Sequence, residues 1–291
     1  VKFQDRVPDA YLMRLFKRVA LIASACLGVL APSAMADTVQ SSNWAGYAVH
    51  RAGVRFTRVV AAWRQPRVSC VRGQRSFSAV WVGLGGYSES SNALEQIGSE
   101  ADCSTAGGVS SSVWYELVPA ASQPIRMHVR PGDALLASVV VVGHRVSVVL
   151  SDTTTHHTFR KTLHPSAVDT SSAEWIVEAP SECATTNSCE TLPLANFGTT
   201  TLSLAGAQAV GGHTGPISDG SWDSTKIQLT PGSRRFVNFN SDTAGVASPS
   251  SLFAGGSSFR VTFATVRVTS NSLFRAREAA VRDGYLVHPG R

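Results

Sequence analysis

The feature that most constrains the fold is a series of short runs rich in β-branched and aromatic residues, separated by Gly, Pro, Ser and Asn clusters. No segment of the central chain has the apolar period of a long helix, and such regular spacing is typical of a β-sandwich or barrel. The predicted strands are Trp44–Val49, Val59–Trp63, Phe77–Leu84, Val113–Val118, Ala134–Val142, Arg145–Leu150, Glu174–Glu178, Thr199–Leu204, Lys226–Leu229, Phe236–Phe239 and Phe259–Phe263. Because neither a linker nor an internal repeat interrupts them, the sequence predicts one all-β domain over residues 37–264, a large antiparallel sandwich.

The two ends of the chain differ from this body. Residues 1–36 contain basic residues, then the apolar run Val19–Leu30 and a small-x-small sequence ending at Ala36. This order predicts a secretory signal peptide cleaved after Ala36, and the run is short for a membrane span. Residues 265–291 are predicted to be an appended tail that is either disordered or contains a short helix over Ser272–Arg282. The mature protein is therefore expected to be secreted.

The net charge of +6 belongs to these ends. Residues 1–36 and 265–291 together contain ten basic and four acidic residues, and removing them from the totals of 26 and 20 leaves 16 of each. No aromatic and basic residues alternate as they do in nucleic-acid-binding surfaces, and the basic stretch Arg51–Arg75 is interpreted as a solvated strand face. We therefore expect no nucleic acid as a partner and no stable membrane insertion after removal of the signal peptide, and we expect a monomer.

Four cysteines remain outside the predicted signal peptide, and export permits them to form disulfides. Four cysteines allow three pairings; the close spacing of Cys183 and Cys189 favours a short bridge there, with Cys70–Cys103 as the second. No cysteine pair has zinc spacing, and the sequence contains no HExxH motif. We expect no metal and no cofactor.

Strand parity predicts which side chains share a face, because successive residues alternate across a strand. Glu174 and Glu178 share one face, Trp114 and Glu116 share another, and Trp81 lies with neighbours small enough to leave room beside it. Aromatic and carboxyl groups on apolar strands predict a binding groove. Glu174 and Glu178 lie roughly 13 Å apart along a strand, farther than paired glycosidase carboxyls, so a catalytic partner must come from another strand.

Five short motifs occur in the order found in the glutamic peptidases, the eqolisin family. They are Ser42–Tyr47, Val80–Leu84, Glu95–Gly98, Trp114–Glu116 and Ala173–Glu178. The sequence is similar to this family from about residue 40 to about residue 264. The resemblance implies a concanavalin A-like sandwich of two antiparallel sheets whose concave face binds polypeptide substrates, and hydrolysis of peptide bonds at acid pH.

The resemblance also implies which residues are catalytic. The family's catalytic glutamine falls on Gln96 and its catalytic glutamate on Glu178. A Glu178 carboxylate can take a proton from the attacking water and return it to the leaving amine when its pKa lies near the working pH. The neutral amide of Gln96 can donate to the oxyanion of the tetrahedral intermediate.

The groove residues follow from the same resemblance. The family's tryptophans fall on Trp81 and Trp114, with Glu116 on the strand of Trp114, and its short disulfide matches Cys183–Cys189. Two positions depart from the family: Gly85 stands where an Asp is common, and Glu100 replaces an Asp that follows the catalytic glutamine. These departures affect hydrogen bonding in the groove.

Two other functions fit the same sandwich, because a fold alone does not decide function. One is a carbohydrate-binding or glycoside-cleaving protein, which requires a second carboxylate facing Glu178. The other is an inactive, wall-associated binding module. An acid endopeptidase instead requires Gln96 near Glu178, and this is the function we expect.

Overall fold

The computed structural model describes residues 37–267 apart from positions 89, 186–187 and 231–242. The predicted signal peptide, the predicted strand Phe236–Phe239 and the predicted tail helix lie outside the described residues. Those described form eighteen strands and no helix. The strands are β1 (Asp37–Ser41), β2 (Trp44–His50), β3 (Phe56–Arg64), β4 (Ser76–Leu84), β5 (Leu94–Cys103), β6 (Val109–Val118), β7 (Gln123–Pro124), β8 (Ala134–Val142), β9 (Arg145–Asp152), β10 (His157–Leu163), β11 (Ser172–Glu178), β12 (Ser181–Thr185), β13 (Ser188–Thr191), β14 (Thr199–Ala209), β15 (Thr214–Pro216), β16 (Asp223–Leu229), β17 (Thr243–Pro249) and β18 (Phe259–Arg267).

Two sheets account for most of these strands. The first has the order β7-β6-β5-β4-β11-β2-β16-β17-β18, and the second has the order β3-β8-β9-β10. Strand β14 belongs to both, because Thr199–Leu202 pair with β18 and the residues from Ser203 pair with β3. Leu204, with φ 53°, lies at this change of sheet, where the register also shifts. The predicted sandwich is confirmed, with one difference: β1 runs parallel to β16.

The main core lies between the two sheets. Trp175 and Val177 of β11 face this core, and the indole Nε1 of Trp175 donates to the carbonyl oxygen of Val60 on the opposite sheet at 2.8 Å. Strands β8 and β9 alternate between buried and partly exposed residues, as expected for a sheet with one covered face. The second sheet therefore has one buried face.

The first sheet is buried on both faces around β11, where all seven residues are inaccessible to solvent or nearly so. Its outer face holds a second apolar cluster that includes Trp44, Trp81, Trp114 and Ile176. Ile176 lies between Glu174 and Glu178 on β11 and shares their face, so its place in the cluster puts both carboxyl groups on this side of the sheet. We call this outer face, with its cluster, the cleft face.

Strand β5 was not among the predicted strands. Nine of its ten residues are buried, including Glu95, Gln96, Ser99 and Glu100, so its sequence resembles that of a polar loop although the strand lies inside the first sheet. Strand β18 runs to Arg267, three residues past the predicted end of the domain.

The cysteine predictions have different outcomes. Cys70 and Cys103 form a disulfide with Cα atoms 5.3 Å apart, as predicted. Cys183 and Cys189 are backbone partners across β12 and β13, but their side chains lie outside the described part of the protein. That second disulfide stays a prediction.

Candidate active site

Glu178 lies at the end of β11 on the cleft face. Its neighbours across the sheet are Trp44 on β2 and the small Ala79 on β4, so there is room above Ala79 for the carboxyl group. The indole Nε1 of Trp81 donates to Glu178 Oε2 at 2.6 Å, and Asn43 Nδ2 donates to Oε1 at 3.2 Å. Both oxygens are therefore held, while the residue is only 6% exposed.

Gln96 lies on β5 between Gly83 of β4 and Glu116 of β6, and is 4% exposed. Its Nε2 donates to Glu116 Oε2 at 2.6 Å. Its Oε1 is buried and accepts no hydrogen bond from the described residues. This oxygen can therefore accept a hydrogen bond from a water molecule or a substrate amide that reaches it.

Trp81 is positioned by two glycines. A Cβ at Gly98 would lie 2.5 Å from the Cβ of Trp81, and a Cβ at Gly83 would lie 3.0 Å from its Cζ3 atom. Glycine at these positions lets the indole lie close to the sheet, with its ring against Trp44 at a centroid distance of 5.0 Å. This packing fixes the indole in the position from which its N–H donates to Glu178.

The strand registers place Gln96 and Glu178 at different levels of the sheet. Glu178 is level with Ala79 and Glu100, whereas Gln96 is level with Gly83 and Glu174. Glu116 provides the link between them, since it accepts from Gln96 and lines the same small pocket as Glu178.

Burial raises the pKa of Glu178 to about 8. The hydrogen bond from Trp81 opposes this rise, the negative charge of Glu116 adds to it, and bonds from Trp44 and Asn43 also oppose it. Below this pH the carboxyl group is neutral, so it has one O–H donor and further acceptor capacity. At acid pH Glu178 therefore differs from the carboxylate expected from the sequence.

The remaining predicted groove residues lie on the same face. Trp114 and Glu116 line the pocket with Glu178, and the Nε1 atom of Trp114 is buried without a hydrogen-bond partner among the described residues. Glu100 is 2% exposed and level with Glu178, but it does not line this pocket. Trp114 therefore lines the pocket and has a buried indole N–H without a partner among the described residues, whereas Glu100 is enclosed outside the pocket.

Sequence reasoning assigned no role to Asn43 and Trp44, although both belong to the first motif. They reach Glu178 because β2 pairs with β11. These strands are about 130 residues apart, and neither segment alone indicates that they pair. Ser122, which precedes β7, lines the pocket and was also missed. In the part of the chain that the structure describes, no three His, Cys, Asp or Glu side chains converge to hold a metal ion.

The structure is thus a two-sheet sandwich with a buried glutamic acid, Glu178, and a buried amide, Gln96, on its cleft face. The model of the Peptidase A4 family matches residues 42–244, and the chain belongs to this family of glutamic endopeptidases, the eqolisins. The predicted family membership is confirmed.

Solved structures agree on the fold. A crystal structure of scytalido-glutamic peptidase with a transition state analog inhibitor is 22% identical, with a TM-score of 0.60 over 77% of this chain and 98% of that one. The structure of SCP-B, a member of the eqolisin family in a complex with the tripeptide Ala-Ile-His, is 20% identical with a TM-score of 0.55 over the same shares. No curated protein sequence matches the chain. Among the described residues, no helix has the length and apolar character needed to cross a membrane.

Proposed function

We propose that the protein is a secreted, monomeric acid endopeptidase in which Glu178 and Gln96 hydrolyse peptide bonds by direct attack of water. The observation that carries the proposal is the environment of the Glu178 carboxyl group. It is buried beside a pocket and accepts hydrogen bonds from Trp81 and Asn43, and burial raises its pKa to about 8. The complex of SCP-B with the tripeptide Ala-Ile-His supports a peptide as the ligand.

In the first step, a water molecule attacks the carbonyl carbon of the scissile peptide. One oxygen of neutral Glu178 takes a proton from that water while its O–H gives a proton to the carbonyl oxygen. The carbonyl π bond breaks, a C–O bond forms, and Glu178 stays neutral. Glu178 thus acts as base and acid in one step, which is possible because a protonated carboxyl group has both a donor and an acceptor.

In the second step, Glu178 donates its proton to the nitrogen of the leaving amine, and the C–N bond breaks. A hydroxyl group of the tetrahedral intermediate returns a proton to Glu178 as the new carboxylic acid forms. The carboxyl group is neutral again and ready for another cycle, so no metal or cofactor enters the reaction.

Gln96 orients the water and stabilises the tetrahedral intermediate. One of its N–H groups is taken by Glu116, so the second N–H is left for the substrate oxygen and the free Oε1 for the hydrogen of the attacking water. Glu116 therefore fixes the amide in its orientation. The unpaired Nε1 of Trp114 is a donor for a carbonyl of the substrate backbone, and Trp81 and Glu100 complete the proposed binding residues.

The test is cleavage of a denatured protein at about pH 2 to 5 by the purified protein and by Glu178→Gln and Gln96→Ala variants. We expect cleavage by the wild type and a loss of about 1,000-fold in each variant, the order found for removal of a catalytic donor or proton carrier. Glu182→Gln changes an exposed carboxyl group four residues from Glu178 and serves as the control. Wild-type rates in both site variants would refute the assigned pair.

One observation favours the glycoside-cleaving alternative: Glu116 brings a second carboxyl group into the pocket of Glu178. In a glycosidase both carboxyl groups are required, whereas in the peptidase Glu116 only holds Gln96. Assays on polysaccharides beside the protein substrate separate the two functions. Sugar release that Glu116→Gln and Glu178→Gln both abolish, without any peptide cleavage, would support the glycosidase.

A further inference from the structure

A second polar cluster lies at the other end of β11, outside the pocket of Glu178. Asp169 belongs to the segment that precedes β11, and its carboxylate lies against Gly85, the residue that follows β4. A Cβ at Gly85 would lie 2.5 Å from the Cβ of Asp169 and 2.9 Å from its Cγ. Gly85 also has a φ of 81°, which favours glycine whatever residue stands at position 169, so any two variants with an L residue at position 85 and glycine at position 169 carry the same backbone strain.

The carboxylate of Asp169 joins two separate loops. Its Oδ2 accepts from Ser91 Oγ and from the backbone N–H of Gly86 at 3.3 Å, and its Oδ1 accepts from the backbone N–H of Ser171 at 2.8 Å. Its own N–H donates to Glu95 Oε1 at 3.4 Å. All three contacts to the side chain come from donors, so a carboxylate fits this position and an amide does not.

These two loops lead directly into the strands of the proposed catalytic pair. Ser91 lies three residues before β5, which contains Gln96, and Ser171 is the residue before β11, which ends at Glu178. Gly85 N also donates to the carbonyl oxygen of Ser172, the first residue of β11, at 3.1 Å. A contact that joins the starts of β5 and β11 therefore limits how these strands can shift against each other.

We propose that Asp169 is a positioning residue: from the segment before β11 it places a carboxylate in the space beside Gly85, and it fixes the strands of Gln96 and Glu178 relative to each other. Its expected effect on activity rests on the proposed function of those two residues. Positions 85 and 169 are far apart in the sequence but meet in space, so a carboxylate from either position can occupy the same site.

The first test is Asp169→Asn, which keeps the volume but places an NH2 group among donors. We expect kcat to fall about tenfold with KM changed less than threefold, because Asp169 lies outside the pocket of Glu178. Asp133→Asn is the matched control: the Asp133 carboxylate accepts from Arg130 N at 2.7 Å before β8, away from the cleft face. Asp133→Asn is expected to keep kcat within twofold. A wild-type kcat in Asp169→Asn would overturn the positioning role.

The second test moves the carboxylate. Gly85→Asp alone collides with Asp169, and we expect a lower unfolding midpoint and a kcat at least tenfold lower. In the double variant Gly85→Asp/Asp169→Gly, glycine frees the segment to shift, and the new carboxylate enters the same space from β4. The control is Gly85→Asn/Asp169→Gly, which relieves the same collision without a carboxylate.

We expect the Asp double variant to exceed the Asn double variant at least threefold in kcat and to unfold at a higher temperature. Equal values in the two double variants would overturn the inference. The unfolding measurement tests the role of Asp169 separately from the proposed function. A wild type without peptidase activity would refute the catalytic pair. The difference in unfolding midpoint between the two double variants would still decide whether a carboxylate at position 85 can replace that of Asp169.

Discussion

Glu174 and Glu178 lie on the same strand and the same face, but their surroundings differ. Glu178 accepts hydrogen bonds from Trp81 and Asn43 and borders a pocket, whereas Glu174 is fully enclosed and, among the described residues, has only the Ser172 hydroxyl to oppose the rise of its pKa. Burial raises the pKa of both carboxyl groups. A raised pKa thus marks burial in both places, and only the donors and the access to substrate distinguish the carboxyl group suited to chemistry.

The largest expected effect concerns stability. Glu95 and Glu178 have pKa values of about 8, and that of Glu174 is raised well above its ordinary value, in each case chiefly by burial. Between about pH 4.5 and 8 the folded protein therefore binds more protons than the unfolded chain, and its free energy of unfolding decreases as pH rises. A single group with a pKa of about 8 accounts for a loss on the order of 3–4 kcal/mol from pH 5 to pH 8, so we expect a loss of at least that size, measured by urea unfolding.

Glu174→Gln and Glu95→Gln should each flatten this dependence, because a glutamine cannot ionise. Carboxylates with lowered pKa values, such as Asp169 and Asp223, act in the opposite sense, and their contribution disappears as pH falls below about 4. The exposed Glu182→Gln is the control and should leave the slope unchanged. A protein that becomes more stable from pH 5 to pH 8 would contradict the assigned burial of these groups.

A smaller effect is expected when Trp81 loses its donor. Trp81→Phe keeps the packing of the ring against Trp44 but removes the N–H on Glu178 Oε2, and we expect kcat/KM to fall about 30-fold. Trp63→Phe is the matched control, since its Nε1 donates to Ser99 Oγ at 2.9 Å in the main core. If Trp63→Phe lost as much activity as Trp81→Phe, the effect would come from packing and not from the Glu178 contact.

The smallest effect concerns Asn43. Its contact with Glu178 is longer, at 3.2 Å, so Asn43→Ala should lower kcat/KM about fivefold, close to the 1 kcal/mol of an ordinary hydrogen bond. Asn196→Ala removes an exposed side chain that accepts from Gly198 N at 3.0 Å, away from the cleft face, and should have no effect on kcat/KM. Steady-state kinetics on one peptide measures both variants. A loss larger than that of Trp81→Phe would reverse the assigned importance of the two donors.

The sandwich could be predicted from the sequence because most of its strands are short runs rich in β-branched and aromatic residues. Strand β8 was predicted with its observed bounds, Ala134–Val142, since its valines alternate between the main core and the surface. Strand β5 was missed because its polar residues are buried on both faces, where Gln96 contacts Glu116 and Ser99 accepts from Trp63. Polar residues inside a sheet cannot be told from a loop when their partners are unknown.

The candidate site shows the same limit. Motif resemblance selected Gln96, Glu178, Trp81 and Trp114, all of which lie on the cleft face. It could not show that Asn43 would hold Glu178, because that contact depends on which strands pair. Nor could it show that the space at Gly85 is filled by Asp169, which belongs to none of the motifs. Long-range pairing is a property of the whole fold, and local sequence carries little of it.

The most direct measurement is the pH dependence of kcat/KM for a peptide without ionisable groups near the cleaved bond, over the pH range in which the protein stays folded. If the neutral carboxyl group of Glu178 performs the reaction, activity persists at acid pH and falls as that group ionises, with an apparent pKa near 8. A kcat/KM that increases with pH through this region, or one that falls around the ordinary glutamate pKa of about 4.3, would contradict catalysis by the neutral carboxyl group of Glu178.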